Sequence, residues 1–343
     1  MGTPDFARES LEALYNTKNE IILVVTNPDK KSGRGMKVIK SPVKEFAEEK
    51  NLNILQPEKI KNNESFVNEL KNLKPDLLVV VAYGKILPKD VLDIPKYGAV
   101  NVHGSLLPKY RGSAPIQWAI INGEKETGIT TMFMDENMDT GDIILEEKIS
   151  ISDDETTGKL WKEMAKAGGK LLVKTIEKIE NALAKIDEEN IIKNQLVNKN
   201  NGNELLSTIK TEMNVTKQGN DYTLAPMLKK EMSKIDWNKN AYEIKNLIRG
   251  LDPIMGTYTY YDSKKIKIWK AEVIKQNENL ADIEIQNYKN GEVILSDKKK
   301  GLYIKAGENT ILSILEIQAE NSKRVNIKDF LNGNKIETHS IFE

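Results

Sequence analysis

Asn101 and His103 stand two residues apart in a run whose apolar neighbours Ala99, Val100 and Val102 predict a buried strand. Strand side chains alternate, so both project from one face. An amide N–H and an imidazolium N–H aimed at the same atom suit a carbonyl oxygen that becomes negative, as in acyl transfer. The cluster Asp139-Thr140-Gly141-Asp142 follows after one more helix and strand. A carboxylate from Asp139 beside the ring would hold the imidazole protonated and receive or relay the proton shed by an attacking group. The chain has no cysteine and no Gly-x-Ser-x-Gly elbow, which favours direct transfer to an external nucleophile over a covalent acyl-enzyme. Taken singly, these residues read as a strand end, a satisfied core histidine and turn carboxylates. Their combination, beside a segment punctuated by glycine and proline, favours a catalytic site.

The elements that must position them alternate. The sequence predicts a helix over Ala7–Tyr15, a strand at Ile21–Val25, a helix from Ser41-Pro42 to Lys50 and a short strand at Leu52–Leu55. It then predicts a helix at Glu64–Leu73, a buried strand at Leu77–Val81 and the strand Ala99–Val102. Strands alternating with helices argue for an α/β, doubly wound, Rossmann-like and mostly parallel sheet, whose ligands sit outside the strands' carboxyl ends. Ala82-Tyr83-Gly84 and His103-Gly104-Ser105 fall there. Asp153–Glu189 reads as a long helix with Trp161 as core packing. Residues 190–221 are polar and Asn-rich and read as a linker with an insertion, holding a short helix near Leu205–Met213. A helix at Ala241–Gly250 and short strands at Gly256–Tyr261, Ile266–Lys275, Glu292–Leu295, Gly301–Ala306 and Ile311–Ile317 suggest a small β-barrel, closed by a helix at Asn326–Leu331.

At 343 residues two domains are the default. No apolar run approaches a membrane span, and no signal peptide or Arg-rich leader is recognisable at Met1, so a cytoplasmic chain with no membrane partner is expected. Without cysteine, and with histidines only at 103 and 339, no metal site is expected. Formal net charge is zero, with −3 before Leu205 balanced by +3 from there onward. Local clusters are more telling than that weak asymmetry. Lys30, Lys31, Arg34, Lys37, Lys40 and Lys44 face Asp29 alone across Pro28–Lys44. The Gly-Arg-Gly setting of Arg34 suits contacts to phosphate or to base edges. In Lys264–Lys270, alternation puts Lys265, Lys267 and Trp269 on one face, a surface for phosphates and a stacked base. The lysines at 298–300 read as a solvated turn.

Asn101–Pro108, its continuation Lys109–Gln117 and the segment Thr127–Thr130 leading to Asp139 resemble the folate-dependent formyltransferases. Gly2–Phe6 and the loop Asn27–Gly35 narrow the resemblance to the branch that formylates methionyl-tRNA; Tyr222–Pro226, Ile235-Asp236-Trp237 and Asp329–Gly333 extend it over most of the chain. The resemblance implies that Asn101, His103 and Asp139 are the catalytic trio. It also implies that Ser105, Leu106, Leu107 and Pro108 line a pocket for 10-formyltetrahydrofolate, and that the barrel is OB-like. The expected organisation is a catalytic domain at 1–189, a linker with insertion at 190–221 and a tRNA-binding domain at 222–343. Its RNA contacts are expected at Arg34, Lys30, Lys31, Lys37, Lys265 and Lys267. The expected partner is methionyl-initiator tRNA, and the chain is expected to act as a monomer, of which the sequence itself carries no sign. Two rival readings are formylation of a small amine, such as a glycinamide ribotide or an aminosugar nucleotide, and non-catalytic RNA binding on the same scaffold. In the resembled family a hydrophobic first strand leads into Gly-Thr-Pro-Asp-Phe, a motif already under way at Met1 here. That suggests an internal methionine read as the start, with unpaired strand edges and a gap in the core.

Overall fold

The computed structural model describes residues 1–32, 37–192, 202–274 and 284–343. The elements run α1 (Asp5–Tyr15), β1 (Val24–Val25), β2 (Lys30–Ser32), β3 (Lys37–Ile39), α2 (Pro42–Glu49), β4 (Ile54–Leu55), α3 (Glu64–Leu73), β5 (Leu78–Val81), α4 (Lys89–Leu92), β6 (Ala99–His103), α5 (Pro115–Ile121), β7 (Glu126–Phe133) and β8 (Ile143–Ser150). They continue with α6 (Thr157–Ile192), α7 (Gly202–Glu212), α8 (Ala241–Leu251), β9 (Thr257–Tyr261), β10 (Lys264–Ile274), β11 (Val293–Asp297), β12 (Gly301–Ala306), β13 (Thr310–Ala319), β14 (Val325–Asn326) and α9 (Ile327–Gly333). Local chemistry sets many of the ends. Ser41 caps α2 by accepting from Lys44 N, with Pro42 at the first position; Asn63 caps α3 by accepting from Phe66 N.

The chain divides into two compact units. The first comprises Met1–Pro115, Thr127–Ser150 and Trp161–Pro226. Its main sheet has the order β5-β6-β7-β8. β5 and β6 are parallel, with Val81 opposite Val102; β7 runs antiparallel to β6, with Met132 opposite Asn101 and Thr130 opposite His103. The antiparallel β6–β7 pair makes this sheet mixed, within the expected α/β, Rossmann-like class. β7 is buried from Thr127 to Phe133 on both faces, and a continuous apolar or small-polar run carries no mark of strand direction. Val25, Phe66, Leu70, Leu78, Val80 and Tyr83 form a core on one side. On β7, the Thr131 hydroxyl meets that of Thr175 of α6 at 2.8 Å.

β1 pairs in parallel with β4. Met1 and Gly2 lie between β1 and β5: Gly2 N donates to Val25 O at 2.9 Å, Val81 N to Met1 O at 2.9 Å, and the Met1 amine to Val79 O at 2.6 Å. Burial pushes that amine down to about 5. These two residues do the pairing of a strand, and along the same line a cavity of about 480 Å³ opens, lined by Leu23, Val25, Leu70, Leu78, Val79 and Ile176. Ile21 to Leu23, expected as strand, line this cavity outside the ladder.

The second unit comprises Ile116–Glu126, Ile151–Leu160 and Met227–Glu343. Its antiparallel strands follow the order β11-β12-β13-β10-β9. Bridges from Ile341 to Glu292 and from Phe342 to Tyr261 join the two outer strands through one C-terminal segment, closing the barrel. Trp237, Ile244, Ile268, Leu302, Ile314 and Phe342 are among the side chains that fill it. Segment 190–221, expected as linker and insertion, contributes α7 and an extended stretch to the first unit, whose boundary falls at Pro226.

Candidate active site

β6 ends at His103, and the alternation that buries Val100 and Val102 turns Asn101 and His103 to the opposite side. His103 Nε2 lies 2.9 Å from Tyr110 O. A carbonyl only accepts, so Nε2 carries the hydrogen and Nδ1 is the nitrogen left for chemistry. Nδ1 is 3.6 Å from Asp139 Oδ1, and Asn101 Nδ2 is 3.4 Å from the same oxygen. Asp139 Oδ2 accepts from Gly112 N at 2.8 Å. One carboxylate oxygen is thus pinned by backbone, while the other is loosely engaged by both predicted partners. The three residues come together as the spacing suggested. Asp139 sits at φ 55°, the left-handed region that Asp tolerates better than most residues.

The turn after β6 has a cis Leu107–Pro108 bond. Ser105 is buried and its Oγ donates to Lys109 O at 2.6 Å; Leu107 is buried against Met132 and Ile143. Thr130 Oγ1 donates to Ser105 O at 2.7 Å and accepts from Leu107 N at 3.1 Å. Of the four residues expected to line a pocket, Leu106 and Pro108 are half-buried, whereas Ser105 and Leu107 are packed into the protein. Nearby, Asn27 Nδ2 donates to Tyr83 O at 2.8 Å and Thr3 Oγ1 at 2.9 Å, tying together the ends of β1 and β5.

A strap formed by residues 216–225 crosses these loops. Thr216 and Ile143 exchange backbone bonds of 2.9 and 2.8 Å. Gln218 Nε2 donates to Asp139 O at 2.9 Å and to Gly141 O at 2.8 Å, while its Oε1 accepts from Arg111 Nε at 3.0 Å and Nη2 at 2.8 Å. The Arg111 guanidinium also lies 4.5 Å from the centre of the Tyr222 ring. Arg111 N donates to Thr223 O at 2.9 Å, Ala225 N to Arg111 O at 2.7 Å, and Tyr110 N to Thr223 Oγ1 at 2.8 Å. Arg111, Gln218 and Thr223 were not singled out from sequence. Arg111 and Thr223 lie in the Lys109–Gln117 and Tyr222–Pro226 runs that carry the resemblance, whereas no local pattern marks Gln218.

The family described as Formyl transferase matches residues 1–176, and Formyl transferase, C-terminal domain, matches residues 227–335. The chain belongs to the formyl transferase family. Among its curated relatives, the methionyl-tRNA formyltransferase of Caldanaerobacter subterraneus subsp. tengcongensis is 45% identical over 343 residues, covering 100% of this chain and 98% of the relative. That of Acetivibrio thermocellus is 44% identical over 336 residues, covering 98% and 96%. Among solved structures, the N-formyltransferase from Helicobacter canadensis in complex with folinic acid and dTDP-3-aminofucose aligns with TM-score 0.56 at 19% identity, covering 93% of this chain and 97% of that one. WlaRD, a sugar 3N-formyl transferase, aligns at 0.55 and 19%, covering 94% and 97%. At such identities these two speak for the fold.

The basic residues of this formyl transferase are distributed unevenly. Arg34 lies outside the described residues, as do the side chains of Lys31 and Lys37; Lys30 is exposed on the hairpin of β2 and β3. Lys44 pairs with Asp29 at 2.6 Å and Lys40 with Glu48 at 2.6 Å, so part of the expected cluster is neutralised locally. In the second unit, Lys265 Nζ is 3.6 Å from the Tyr258 ring centre and Lys267 Nζ is 5.0 Å from that of Trp269. Tyr258 meets Tyr260 edge-on at 5.9 Å, and Lys234 lies 5.7 Å over Tyr260. Burial, with Lys230 and Lys267 as like-charged neighbours, holds the Lys265 amine below its ordinary range. The face carries several cations and aromatic rings side by side.

Proposed function

We propose that this chain transfers the formyl group of 10-formyltetrahydrofolate to the α-amine of methionyl-initiator tRNA. The amine attacks the formyl carbon, forming the new C–N bond and a tetrahedral oxyanion. Asn101 Nδ2 and protonated His103 Nδ1 are the donors for that oxygen. Asp139 Oδ1 takes the proton shed by the attacking nitrogen, and a proton is returned to the folate nitrogen as its bond to the formyl carbon breaks. Ser105–Pro108 shape the folate side of the pocket, chiefly through the half-buried Leu106 and Pro108. The Lys265, Lys267 and Trp269 face, with Lys30, Lys31, Arg34 and Lys37, supplies contacts to tRNA, and the chain acts in the cytoplasm.

The observation that carries the reading is the position of Asp139 Oδ1, within 3.6 Å of His103 Nδ1 and 3.4 Å of Asn101 Nδ2. The full-length similarity to curated methionyl-tRNA formyltransferases supports the choice of acceptor over a small amine. The test is a formylation assay with charged initiator tRNA, charged elongator tRNA and small amines as acceptors. His103→Ala and Asp139→Ala are expected to lower kcat by roughly two to four orders of magnitude with little change in KM. Turnover near that of the parent, or preference for a small amine, overturns the reading.

A further inference from the structure

Asp139 has to hold a left-handed backbone, at φ 55°, while presenting Oδ1 to two partners. Its side chain is fixed at one point, through Gly112 N on Oδ2. Its backbone is fixed at another by Gln218, whose two amide hydrogens go to Asp139 O and Gly141 O. The amide cannot be turned over. Reversed, its oxygen would face two carbonyls and its NH2 would face the Arg111 guanidinium, replacing four good contacts by four repulsive ones. Arg111 is itself buried, so its charge requires the acceptor that Gln218 Oε1 provides. The loop beyond is equally confined, since a Cβ on Gly141 would stand 1.7 Å from Phe133 O.

We propose that Gln218 is a positioning residue of the transfer reaction, a clamp that aims Asp139 Oδ1 at Asn101 and His103 by holding the Asp139 and Gly141 carbonyls. The inference rests on the catalytic reading of that trio. In the hydrogen bonds described, Gln218 reaches the carbonyls of the loop, the Arg111 guanidinium and, at 3.8 Å, Met132 Sδ, not the side chains of Asn101, His103 or Asp139, so its hold on the carboxylate passes through the Asp139 backbone. Arg111 links the same clamp to Tyr110, whose carbonyl holds His103 Nε2, so strap, carboxylate loop and imidazole form one connected set.

The test compares Gln218→Met, which keeps the length and loses both donors, with Gln218→Glu, which keeps a partner for Arg111 and also loses the donors. Lys210→Met serves as a control, because it removes another tether of the same loop, the 2.8 Å ion pair to Asp142. Both Gln218 variants are expected to lose about 10- to 100-fold in kcat, with KM for tRNA and folate within about twofold, the signature of a misplaced reacting group. In an Asp139→Asn background, Gln218→Met is expected to change kcat by less than about twofold, because residues acting as a unit are not additive. Folding of each variant is checked by its urea midpoint. The inference is overturned if Gln218→Glu keeps parental kcat, if the loss falls on KM, if Lys210→Met loses as much, or if the loss persists undiminished without Asp139. His103→Ala measured in parallel separates the two ideas: parental kcat there sinks the catalytic reading itself, whereas a dead His103→Ala beside a fully active Gln218→Met sinks only the clamp.

Discussion

Gly112 is the residue on which the geometry of the carboxylate turns. Its N–H holds Asp139 Oδ2 at 2.8 Å, its φ is 127°, and a Cβ there would meet Ala225 O at 2.6 Å. Gly112→Ala must therefore strain the backbone and push residue 112 off the strap at once. We expect a loss of about 1–3 kcal/mol in urea unfolding together with a fall in kcat, and a variant with parental values in both would show that the contact gives way freely. At this scale the nearness of Asn101 to His103 was legible, because the two share a strand and a common face. Gln218 was not legible. Its partners are the carbonyls of Asp139 and Gly141, some 80 positions away, and no local pattern marks a side chain that bonds to backbone.

Elements were legible in existence and less so in extent or direction. Helix Glu64–Leu73 and strand Gly301–Ala306 have the bounds their patterns predict. The strand at Ile21–Val25 shrinks to two residues because only Val24 and Val25 find a ladder partner in β4. The antiparallel sense of β7 depends on the sheet, not on its own composition. The closure of the barrel depends on the last residues of the chain, which lack any alternating pattern of their own. There Glu292 accepts from Lys289 N at 2.7 Å and pairs with His339 Nδ1 at 2.9 Å. The Lys289 N–H first, and His339 in support, hold this carboxyl below its ordinary value of 4.5. A depressed folded-state pKa contributes stability that is complete above the unfolded value and is lost as pH falls through the folded one. The barrel is thus expected to weaken from about pH 4.5 downward, and Glu292→Gln to flatten that decline in denaturation midpoints measured between about pH 5 and 3. An unchanged slope would remove Glu292 from the account.

For the molecule as a whole, zero net charge does not forbid a polyanionic partner, since the cations that matter are grouped. If Lys265, Lys267 and neighbouring lysines neutralise three or four phosphates, raising salt from about 50 to 200 mM should raise KM for tRNA on the order of 10- to 100-fold. The folate KM should barely move, and parallel slopes for both substrates would argue against a phosphate-contacting face. Fold class and barrel were readable from alternation and strand spacing. The membership of Ile116–Glu126 and Ile151–Leu160 in the second compact unit was not, because both stretches sit in the first half of the sequence.

That interleaving bears on how the polypeptide matures as it is synthesised. Thr157 Oγ1 donates to Gly250 O at 2.7 Å, Gly158 N to Asp252 O at 3.1 Å, and Arg249 Nη1 to Ser152 O at 3.1 Å. These partners leave the ribosome roughly ninety residues after the segments they complete. Two early stretches therefore emerge without their eventual companions, and a nascent chain arrested near residue 226 would carry them orphaned, a ready target for chaperones rather than a finished first half.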